Sequence, residues 1–176
     1  METISVPKII SSQDLVYQDK FQRLYRIVAE FDGFTKEYYV SDRGQRAALL
    51  AVRKKEVLLV RQYRLLINGL SLEIPGGRVD EDEVPEVAAI RECLEETGIQ
   101  CFNLKPLITY HLGLDAIKNP TYIYISEEFK EKTKDKEGRR VWVPLDRCVE
   151  MVFAGQIVDS LSIIGLLSYQ TLLGKQ

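Results

Sequence analysis

The sequence predicts an α/β fold, and three observations lead to that prediction. Two apolar runs, at 47–52 and 56–60, have the length of buried β-strands and are joined by a short basic turn. Apolar residues at helical spacing follow at 87–94, shortly before a glycine that can end a helix. Near the C-terminus, segments 146–154 and 160–173 have helical patterns, and each is followed by a glycine. We therefore expect a β-sheet packed against helices.

The composition restricts the class of protein. The 176 residues are 45% apolar and 28% charged, which is ordinary for a globular protein with a sizeable core. A net charge of −2 gives no basic surface, so we expect no nucleic-acid partner. Cys93, Cys101 and Cys148 lack metal-site spacing and predict reduced thiols in the cytoplasm. We find no signal-like or membrane-spanning apolar run and expect no membrane contact.

Residues 1–45 are predicted to form an antiparallel β extension. Strand-like runs at 21–31 and 34–40 are separated by Asp32-Gly33, a pair that favours a hairpin turn. An isolated hairpin is marginally stable in water. We therefore expect the extension to pack on the main domain, 46–176, or on another subunit.

The segment 91–98 carries the clearest chemical pattern. Glu92, Glu95 and Glu96 lie at i, i+3 and i+4, which places three carboxylates on one face of a predicted helix. Like charges at this spacing destabilise a helix by roughly 0.2–0.5 kcal/mol per pair. Hard cations such as Mg²⁺ take oxygen ligands and often share them with substrate phosphates. The pattern thus predicts a metal site, although three glutamates alone are also typical of a solvated helix face.

Residues around these glutamates favour the metal site. Gly76-Gly77 allows the backbone to approach a ligand closely, and Glu83 adds a carboxylate ahead of the helix. The full pattern is Gly77-x5-Glu83-x7-Arg91-Glu92-Cys93-x-Glu95-Glu96-x-Gly98-Ile99, which resembles the complete Nudix box. One departure is Val84 before Pro85, where this family often has a capping serine; a missing cap costs about 1 kcal/mol.

The resemblance implies the Nudix fold, a mixed β-sheet sandwiched between helices. It also implies hydrolysis of a nucleoside diphosphate linked to another group, with a metal-activated water attacking phosphorus. Glu92 and Glu96 would be the main metal ligands. Glu95 and the backbone carbonyl of Gly77 would be additional ligands. The expected ion is Mg²⁺, with Mn²⁺ as a possible substitute.

The resemblance assigns further roles outside these ligands. Arg91 would orient the glutamates, and Glu83 would sit near the metal, directly or through water. In the resembled proteins, an acidic loop before the last strand supplies a further metal ligand or a base. The corresponding stretch 127–140 has mixed charge and is predicted to be a solvated loop. Its candidate acidic residues are Glu137 as the nearest match, with Glu131 and Asp135 as substitutes.

Two segments before the box are similar to the ADP-ribose and nucleotide-sugar pyrophosphatase branch of the family. They are Leu59-Val60-Arg61-Gln62-Tyr63-Arg64 and Leu72-Glu73-Ile74-Pro75-Gly76-Gly77. The branch commonly forms homodimers through its N-terminal strands, with substrate pockets that use both subunits. Arg64 would contact phosphate or ribose. An arginine on a strand is also often a plain surface residue, and strand aromatics are often core. The candidates for stacking on a base are Tyr17, Phe21 and Tyr63.

Strands are predicted at 104–110 and 121–126, joined by a loop at 111–120 that is expected to face the substrate. The resembled branch typically has a Ser-Pro-Gly element there, followed by an acidic residue. This chain has His-Leu-Gly followed by Asp115. His111, the single histidine, and Asp115 are candidate substrate-binding residues, although a lone histidine is more often structural.

The sequence therefore predicts Mg²⁺-dependent hydrolysis of ADP-ribose or a related nucleotide sugar to a nucleoside monophosphate and a sugar phosphate. An alternative is a Nudix hydrolase of a dinucleotide or a nucleoside triphosphate, which the altered 111–115 segment leaves open. A third interpretation is a sensor that binds a nucleotide sugar without turnover. A sensor would be expected to have a broken box, whereas all three glutamates are present.

Overall fold

The computed structural model of the chain describes residues 6, 9–135 and 138–175. It has two compact units, which are described separately below. The first comprises Met1–Gln45 and Tyr110–Pro120, and the second comprises Arg46–Thr109 and Thr121–Gln176. The sequence predicted a boundary at residue 45 and assigned 110–120 to the main domain; that division of domains stays a prediction.

The strands are β1 (Ile9–Gln18), β2 (Arg23–Phe31), β3 (Phe34–Asp42), β4 (Arg46–Arg53), β5 (Glu56–Arg64), β6 (Gly69–Glu73), β7 (Gly76–Arg78), β8 (Ile99–Phe102), β9 (Lys105–Gly113), β10 (Ile117–Ser126), β11 (Glu128–Glu131) and β12 (Arg140–Pro144). The helices are α1 (Pro85–Thr97), α2 (Leu145–Phe153) and α3 (Ser160–Leu173), and a 3₁₀ turn covers Leu65–Ile67.

The first unit is an antiparallel meander of β1, β2 and β3. The predicted hairpin between β2 and β3 is confirmed, with Gly33 at φ +86°, in the left-handed region that glycine tolerates best. Strand β1 is an addition that the sequence did not predict. Its pairing with β2 is irregular in two places, which is typical of a bulged strand.

The predicted loop at 111–120 is wrong for most of its length. Strand β9 continues to Gly113 and β10 begins at Ile117, so only a three-residue turn separates them. The start of β10 runs parallel to the end of β3. Two contacts stabilise this arrangement: Lys118 Nζ lies 2.7 Å from Asp42 Oδ2, and Asn119 donates to the Gly44 carbonyl at 2.8 Å.

The second unit is built around β4. Residues 47–52 form a continuous buried run rather than an alternating one, because both faces of the strand are covered. On one face, Leu49 belongs to a cluster with Ala88 and Cys93 of α1. On the other face, Leu50 lies near Gly165 of α3, where an added Cβ would be 3.1 Å from Leu50 Cδ1. Helices thus cover both faces of this strand.

The sheet of the second unit is mixed. Strand β10 runs parallel to β4 through Thr121–Ser126, whereas β5 and β7 pair with β4 in antiparallel register. Strand β5 in turn pairs with β6 and β12. The backbone at Gly76 lies directly on β4, because a Cβ there would be 2.6 Å from Ala48 Cβ and 2.7 Å from the Ala47 carbonyl oxygen. This close approach fixes β7, the short strand that precedes α1.

Helix α1 forms as the sequence predicts. Pro85 occupies its first turn, where a missing N–H costs nothing. Among the described residues no side chain caps this end, in agreement with Val84 at the cap position. The helix ends at Gly98, whose φ of +71° and N–H bond to the Leu94 carbonyl complete a left-handed cap. Its buried face is apolar, with Ala88, Ala89 and Cys93 in the core.

The C-terminal part holds two further helices, close to the predicted bounds. The Asp159 carboxylate caps α3 by accepting the Ser162 N–H at 2.8 Å. The buried Ser162 hydroxyl also donates to Asp159, at 2.7 Å, and accepts the Ile74 N–H, at 2.9 Å. Helix α3 is therefore hydrogen-bonded to the segment that leads into β7.

The predicted solvated loop at 127–140 contains a strand instead. Strand β11 pairs with β8, and its Phe129 packs on Trp142 with ring centroids 5.2 Å apart.

The three cysteine thiols are free and buried. Within residues 9–135 and 138–175, no helix has the length and apolar character needed to cross a membrane.

Candidate active site

Glu96 lies half-buried between two hydrogen-bond donors from different strands. Gln62 of β5 donates its amide Nε2–H to Glu96 Oε1 at 2.6 Å. The backbone N–H of Gly76 donates to Glu96 Oε2 at 3.0 Å. Burial raises the pKa of Glu96 above its ordinary value, and the charge of Glu92 adds to this, despite the two donors. The site therefore concentrates negative charge that a cation would offset.

Glu92 rests against the backbone of Gly77. A Cβ built at Gly77 would lie 2.5 Å from both carboxylate oxygens of Glu92, so only a glycine leaves room for the carboxylate in this position. The pairing of β7 with β4 places Gly77 opposite Ala47, which holds the glycine backbone under α1. Glu92 and Glu96 thus both contact the start of β7, Glu92 at Gly77 and Glu96 at Gly76.

Arg91 connects the carboxylates at the start of the site. Its guanidinium donates to both oxygens of Glu83, at 2.9 and 2.8 Å, and to Glu92 Oε1 at 2.8 Å. It also donates to the Arg78 carbonyl at 2.9 Å. The hydrogen bonds that Arg91 donates to Glu83 are the main reason that the pKa of Arg91 lies above its ordinary value, and the same bonds lower the pKa of Glu83.

Replacing Gly77 with alanine should displace the Glu92 carboxylate and lower activity without unfolding the protein. Outer interactions that orient metal ligands typically contribute about 10–100-fold to activity. We expect kcat of Gly77→Ala to fall by about that factor, with a melting temperature close to wild type. Gly174→Ala is the matched control, because a Cβ there meets atoms only at ordinary contact distances of 3.7 Å or more. A normal kcat for Gly77→Ala would contradict this contact.

The donor groups around Glu92 and Glu96 determine whether a divalent cation fits this site. Among residues 9–135 and 138–175, no three histidine, cysteine or acidic side chains are close enough together to hold a metal ion. Glu95 is turned outward, with 60% of its side chain exposed, 3.6 Å from Arg91. The remaining donors are the carboxylates of Glu92 and Glu96, which contact Gly77 and Gly76 respectively, and the carbonyl groups of these two glycines. One or two carboxylates with water and substrate phosphates is the donor set that Mg²⁺ commonly takes, so the residues fit such an ion.

A cavity of about 590 Å³ opens beside Glu96. Its volume is in the usual range for small-molecule sites. Its lining residues are Val60, Arg61, Gln62, Tyr63, Leu70, Glu96, Gly138 and Arg139. The structure thus brings the predicted substrate residue Tyr63 into the same cavity as Glu96. The Tyr63 ring is exposed and its hydroxyl donates to Asn68 Oδ1 at 2.9 Å, so the ring is available for stacking.

Arg64 is held by a buried partner. Its Nε–H donates to Glu73 Oε1 at 2.8 Å, and its Nη2 forms a second bond to Glu73 Oε2. Burial pushes the pKa of Glu73 upward, but the hydrogen bonds from Arg64 and Ser71 and the charge of Arg64 outweigh it, so this pKa lies below its ordinary value. Arg64 lines a neighbouring cavity of about 280 Å³. The pair fixes one face of the guanidinium and leaves its side chain 43% exposed.

We expect Arg64→Met to destabilise the protein in a pH-dependent way. The variant leaves the carboxylate of Glu73 buried without its cation, which should cost about 2 kcal/mol at neutral pH. In the wild type the pKa of Glu73 is lowered by folding, so its contribution is present above the unfolded pKa and is lost as pH falls through the folded pKa. The difference between variant and wild type should therefore shrink below about pH 4.3, the unfolded value for glutamate.

Urea unfolding of both proteins at pH 7.5 and near pH 4 measures this difference. Arg147→Met is the matched control, because Arg147 forms an exposed pair with Glu150 at 2.8 Å. Exposed pairs contribute about 0–1 kcal/mol. Equal destabilisation by the two arginine substitutions at pH 7.5 would contradict the buried pairing.

The other predicted substrate residues lie in the first compact unit. His111 is an exposed residue of β9, and Asp115 lies in the turn between β9 and β10. Tyr17 is exposed and donates to Asp19 Oδ2 at 3.0 Å, and Phe21 is exposed beneath the Lys20 ammonium. Their roles in substrate binding stay predictions.

The three acidic candidates of the 127–140 stretch differ in what the structure describes of them. Glu137 lies outside the described residues. Glu131 forms an ion pair with Arg140. Arg140 also donates to the backbone carbonyls of Thr97, at the end of α1, and Thr133. Asp135 accepts the backbone N–H groups of Arg139 and Arg140 at 3.1 and 3.2 Å. Glu131 and Asp135 therefore have clear structural partners, while a catalytic role for any of the three stays a prediction.

Two site residues escaped the sequence analysis. Gln62 and Glu73 are the partners of Glu96 and Arg64, respectively. Gln62 is 34 residues from Glu96 in the chain, so no local spacing links them. Glu73 lies nine residues from Arg64, at the far end of the β5–β6 hairpin. A signal was available for this second pair, because the Asn68-Gly69 turn predicts a hairpin that brings the two strands together.

Comparisons with known proteins agree with this geometry. The NUDIX domain family matches residues 42–157. CMP-5'-(N-acetyl-N-hydroxy-3-aminopropyl)phosphonate hydrolase of Streptomyces rubellomurinus is 34% identical over 134 residues, covering 72% of this chain and 64% of that protein. GDP-mannose pyrophosphatase of Salmonella paratyphi B is 29% identical over an alignment of 182 positions, covering 95% and 93%.

The fold is also similar to that of a solved protein. The crystal structure of an ADP compounds hydrolase matches with a TM-score of 0.83 at 17% identity, over 100% of this chain and 98% of that one. The predicted mixed α/β architecture is thereby confirmed. Because the family match covers more than half of the chain and includes the whole motif from Gly77 to Ile99, the chain belongs to the Nudix family and is a Nudix-type pyrophosphohydrolase.

Proposed function

We propose that the protein hydrolyses the pyrophosphate bond of ADP-ribose or a related nucleoside diphosphate sugar, giving a nucleoside monophosphate and a sugar phosphate. The observation that carries this proposal is that the Glu92 carboxylate lies against Gly77 and the Glu96 carboxylate accepts the Gly76 N–H, with Glu96 lining the 590 Å³ cavity. The two carboxylates supply the hard oxygen donors that a diphosphate-bound cation requires. The cavity supplies the volume for a group attached to the diphosphate.

The proposed ion is Mg²⁺, with Mn²⁺ as a substitute. Nudix hydrolases generally use divalent metal ions. Glu92 and Glu96 would hold the ion, with the Gly77 carbonyl as an additional donor, whereas Glu95, turned outward beside Arg91, is left out of the proposed ligand set. A bound cation would offset negative charge on the phosphate oxygens and lower the pKa of a bound water. Arg91 keeps Glu92 in place, and its bidentate bond to Glu83 keeps Arg91 in place.

The remaining residues are proposed to bind and orient the substrate. Arg64, presented by Glu73, would contact a phosphate or the ribose, because a guanidinium with one face fixed retains donors on the other. Tyr63 would stack on the base or sugar from the cavity wall. His111 and Asp115 would add polar contacts. Glu137 is proposed as the acidic residue that serves as a further ligand or as base.

The names of two relatives support the substrate class. One relative is named for hydrolysis of a CMP-linked phosphonate and another for the pyrophosphate of GDP-mannose. In both names a nucleotide is joined to a second organic group. We propose the same general class for this chain, with the base and the sugar open.

We also propose a homodimer through the strands of residues 1–45 and a cytoplasmic location. Tyr17, Phe21 and Phe34 are exposed on those strands and their connections, and exposed aromatic residues are common at protein interfaces. The three buried free thiols agree with a reducing compartment. Sedimentation of the purified protein, with and without residues 1–45, tests the dimer.

Product analysis tests the proposed reaction. The purified protein with Mg²⁺ is incubated with ADP-ribose, other nucleotide sugars, dinucleotides and nucleoside triphosphates, and the products are separated by ion-exchange chromatography. We expect a nucleoside monophosphate and a sugar phosphate from at least one nucleotide sugar. Cleavage of triphosphates or dinucleotides alone would overturn the substrate class, and binding of a nucleotide sugar without cleavage would indicate a sensor.

A further inference from the structure

Gln62 occupies an unusual place for a strand residue near a protein surface. It lies on β5 between the exposed Arg61 and the exposed Tyr63, yet its side chain turns inward to Glu96. The Nε2 to Oε1 distance of 2.6 Å is at the short end for a hydrogen bond to a carboxylate. Gln62 and Glu96 also line the same cavity. The contact therefore joins the helix that carries the metal ligands to the strand that carries the substrate residues.

The two donors around Glu96 fix the plane of its carboxylate. Gln62 bonds to one oxygen and the Gly76 N–H to the other. An ionised carboxylate has about four lone-pair positions, so each oxygen keeps one for a further ligand. A carboxylate held in this way needs no reorientation when it receives a cation, so binding does not have to offset the entropy of ordering a long side chain.

Within residues 9–135 and 138–175, no arginine or lysine forms an ion pair with Glu96, although the charge of Arg64 also acts on it. Glu92 is held by a guanidinium, 2.8 Å away, whereas the donors to Glu96 are the Gln62 amide and the Gly76 backbone N–H. A neutral donor orients the carboxylate but leaves its charge in place. An arginine at position 62 would instead compete with the cation for that charge. The choice of glutamine thus suits a ligand that must stay available.

We propose that Gln62 is a positioning residue that holds Glu96 in the orientation needed to bind the divalent cation, and that it thereby sets the metal affinity of the site. The inference rests on the proposed function, because Glu96 is a metal ligand only if that proposal is correct. It goes further in assigning a role to a strand residue outside the box.

Binding of Mn²⁺ to the protein without substrate tests the inference, with free Mn²⁺ measured by electron paramagnetic resonance. Gln62→Met keeps the length of the side chain and removes the donor, and Gln62→Leu is a second variant in case the first folds poorly. Removing a group that orients a metal ligand typically weakens affinity by about 10–100-fold, and we expect a loss in that range. Gln156→Met is the matched control at an exposed position outside the site.

A second readout separates positioning from a merely structural role. Activity of Gln62→Met should be low at limiting Mg²⁺ and recover as Mg²⁺ is raised, while KM for the nucleotide sugar at saturating Mg²⁺ stays at the wild-type value. Mn²⁺ affinity within twofold of wild type in both Gln62 variants would overturn the inference. So would a wild-type protein that binds no Mn²⁺. Weaker Mn²⁺ binding by the variants, in a protein that cleaves no nucleotide sugar, would support the inference and overturn the proposed function.

Discussion

Glu96→Gln should lower kcat by about three orders of magnitude while the protein remains folded. The substitution keeps the shape of the side chain but removes a charged oxygen ligand. Charge stabilisation by a metal ion amounts to several kcal/mol in the transition state, and about 4 kcal/mol corresponds to a thousandfold in rate. Burial already disfavours the charged form of Glu96, and the glutamine amide keeps one acceptor oxygen for the Gln62 or Gly76 donor, so we expect at most a small fall in melting temperature.

Single-turnover rates with saturating Mg²⁺ measure this effect, together with thermal unfolding of the same samples. Glu86→Gln is the matched control, because Glu86 is an exposed residue in the first turn of the same helix. It should retain wild-type kcat. A loss of activity accompanied by a large fall in melting temperature would indicate a structural role for Glu96 instead.

Glu92→Gln is expected to have the second-largest effect, a decrease in kcat of about two to three orders of magnitude. Glu92 loses its charge at the metal site and also its ion pair with Arg91, 2.8 Å away. Arg91 retains both bonds to Glu83, so the helix start should remain ordered. The melting temperature should therefore change by only a few degrees, which is what about 1 kcal/mol produces in a domain of this size.

Comparing the kcat values of Glu92→Gln, Glu96→Gln and Gly77→Ala separates the effect of carboxylate charge from the effect of carboxylate position. Gly77→Ala moves the Glu92 carboxylate without removing its charge, so its effect should be smaller than that of Glu92→Gln. Near-normal turnover in both glutamine variants would refute the assignment of the metal ligands. A larger loss in Gly77→Ala than in Glu92→Gln would show that the Gly77 backbone matters more than the carboxylate beside it.

The fold was predictable wherever a local pattern determines the structure. Helix α1 has apolar residues at helical spacing, a proline at its start and a glycine at its end, and each feature acts within one or two turns. The β2–β3 hairpin depends on the Asp32-Gly33 turn in the same way. The buried run of β4 follows from its composition. These elements were all expected from short stretches of sequence.

Elements whose stability comes from distant partners were not predictable. Strand β11 contains alternating charges around a single aromatic residue, Phe129, and it becomes a strand because it pairs with β8 and packs on Trp142. The segment 111–120 contains Gly113, Asn119 and Pro120, which favour turns, yet pairing with neighbouring strands makes most of it extended. Propensity was overridden by tertiary contacts in both cases.

The site shows the same division. The box fixes the spacing of Glu92 and Glu96 on one helix, so their place on a common face could be predicted, whereas their burial against Gly77, Gly76 and Gln62 could not. Glu95, three residues from Glu92, was expected on the same face but lies outward beside Arg91. The role of Gln62 depends on how β5 passes α1, which no spacing within the box specifies.

The hydrogen bond from the Ile74 amide to the Ser162 hydroxyl restricts motion of the backbone next to the proposed ligand site. The Ile74 amide is buried and bonded to α3, and only two residues separate it from Gly77. Its hydrogen should exchange with solvent only when α3 itself detaches, on the timescale of global opening rather than of loop motion. The Gly76-Gly77 backbone at the start of β7 is therefore expected to be as rigid as the core. A ligand that reaches its carbonyl meets an already ordered group, and binding does not have to offset the entropy of freezing a loop.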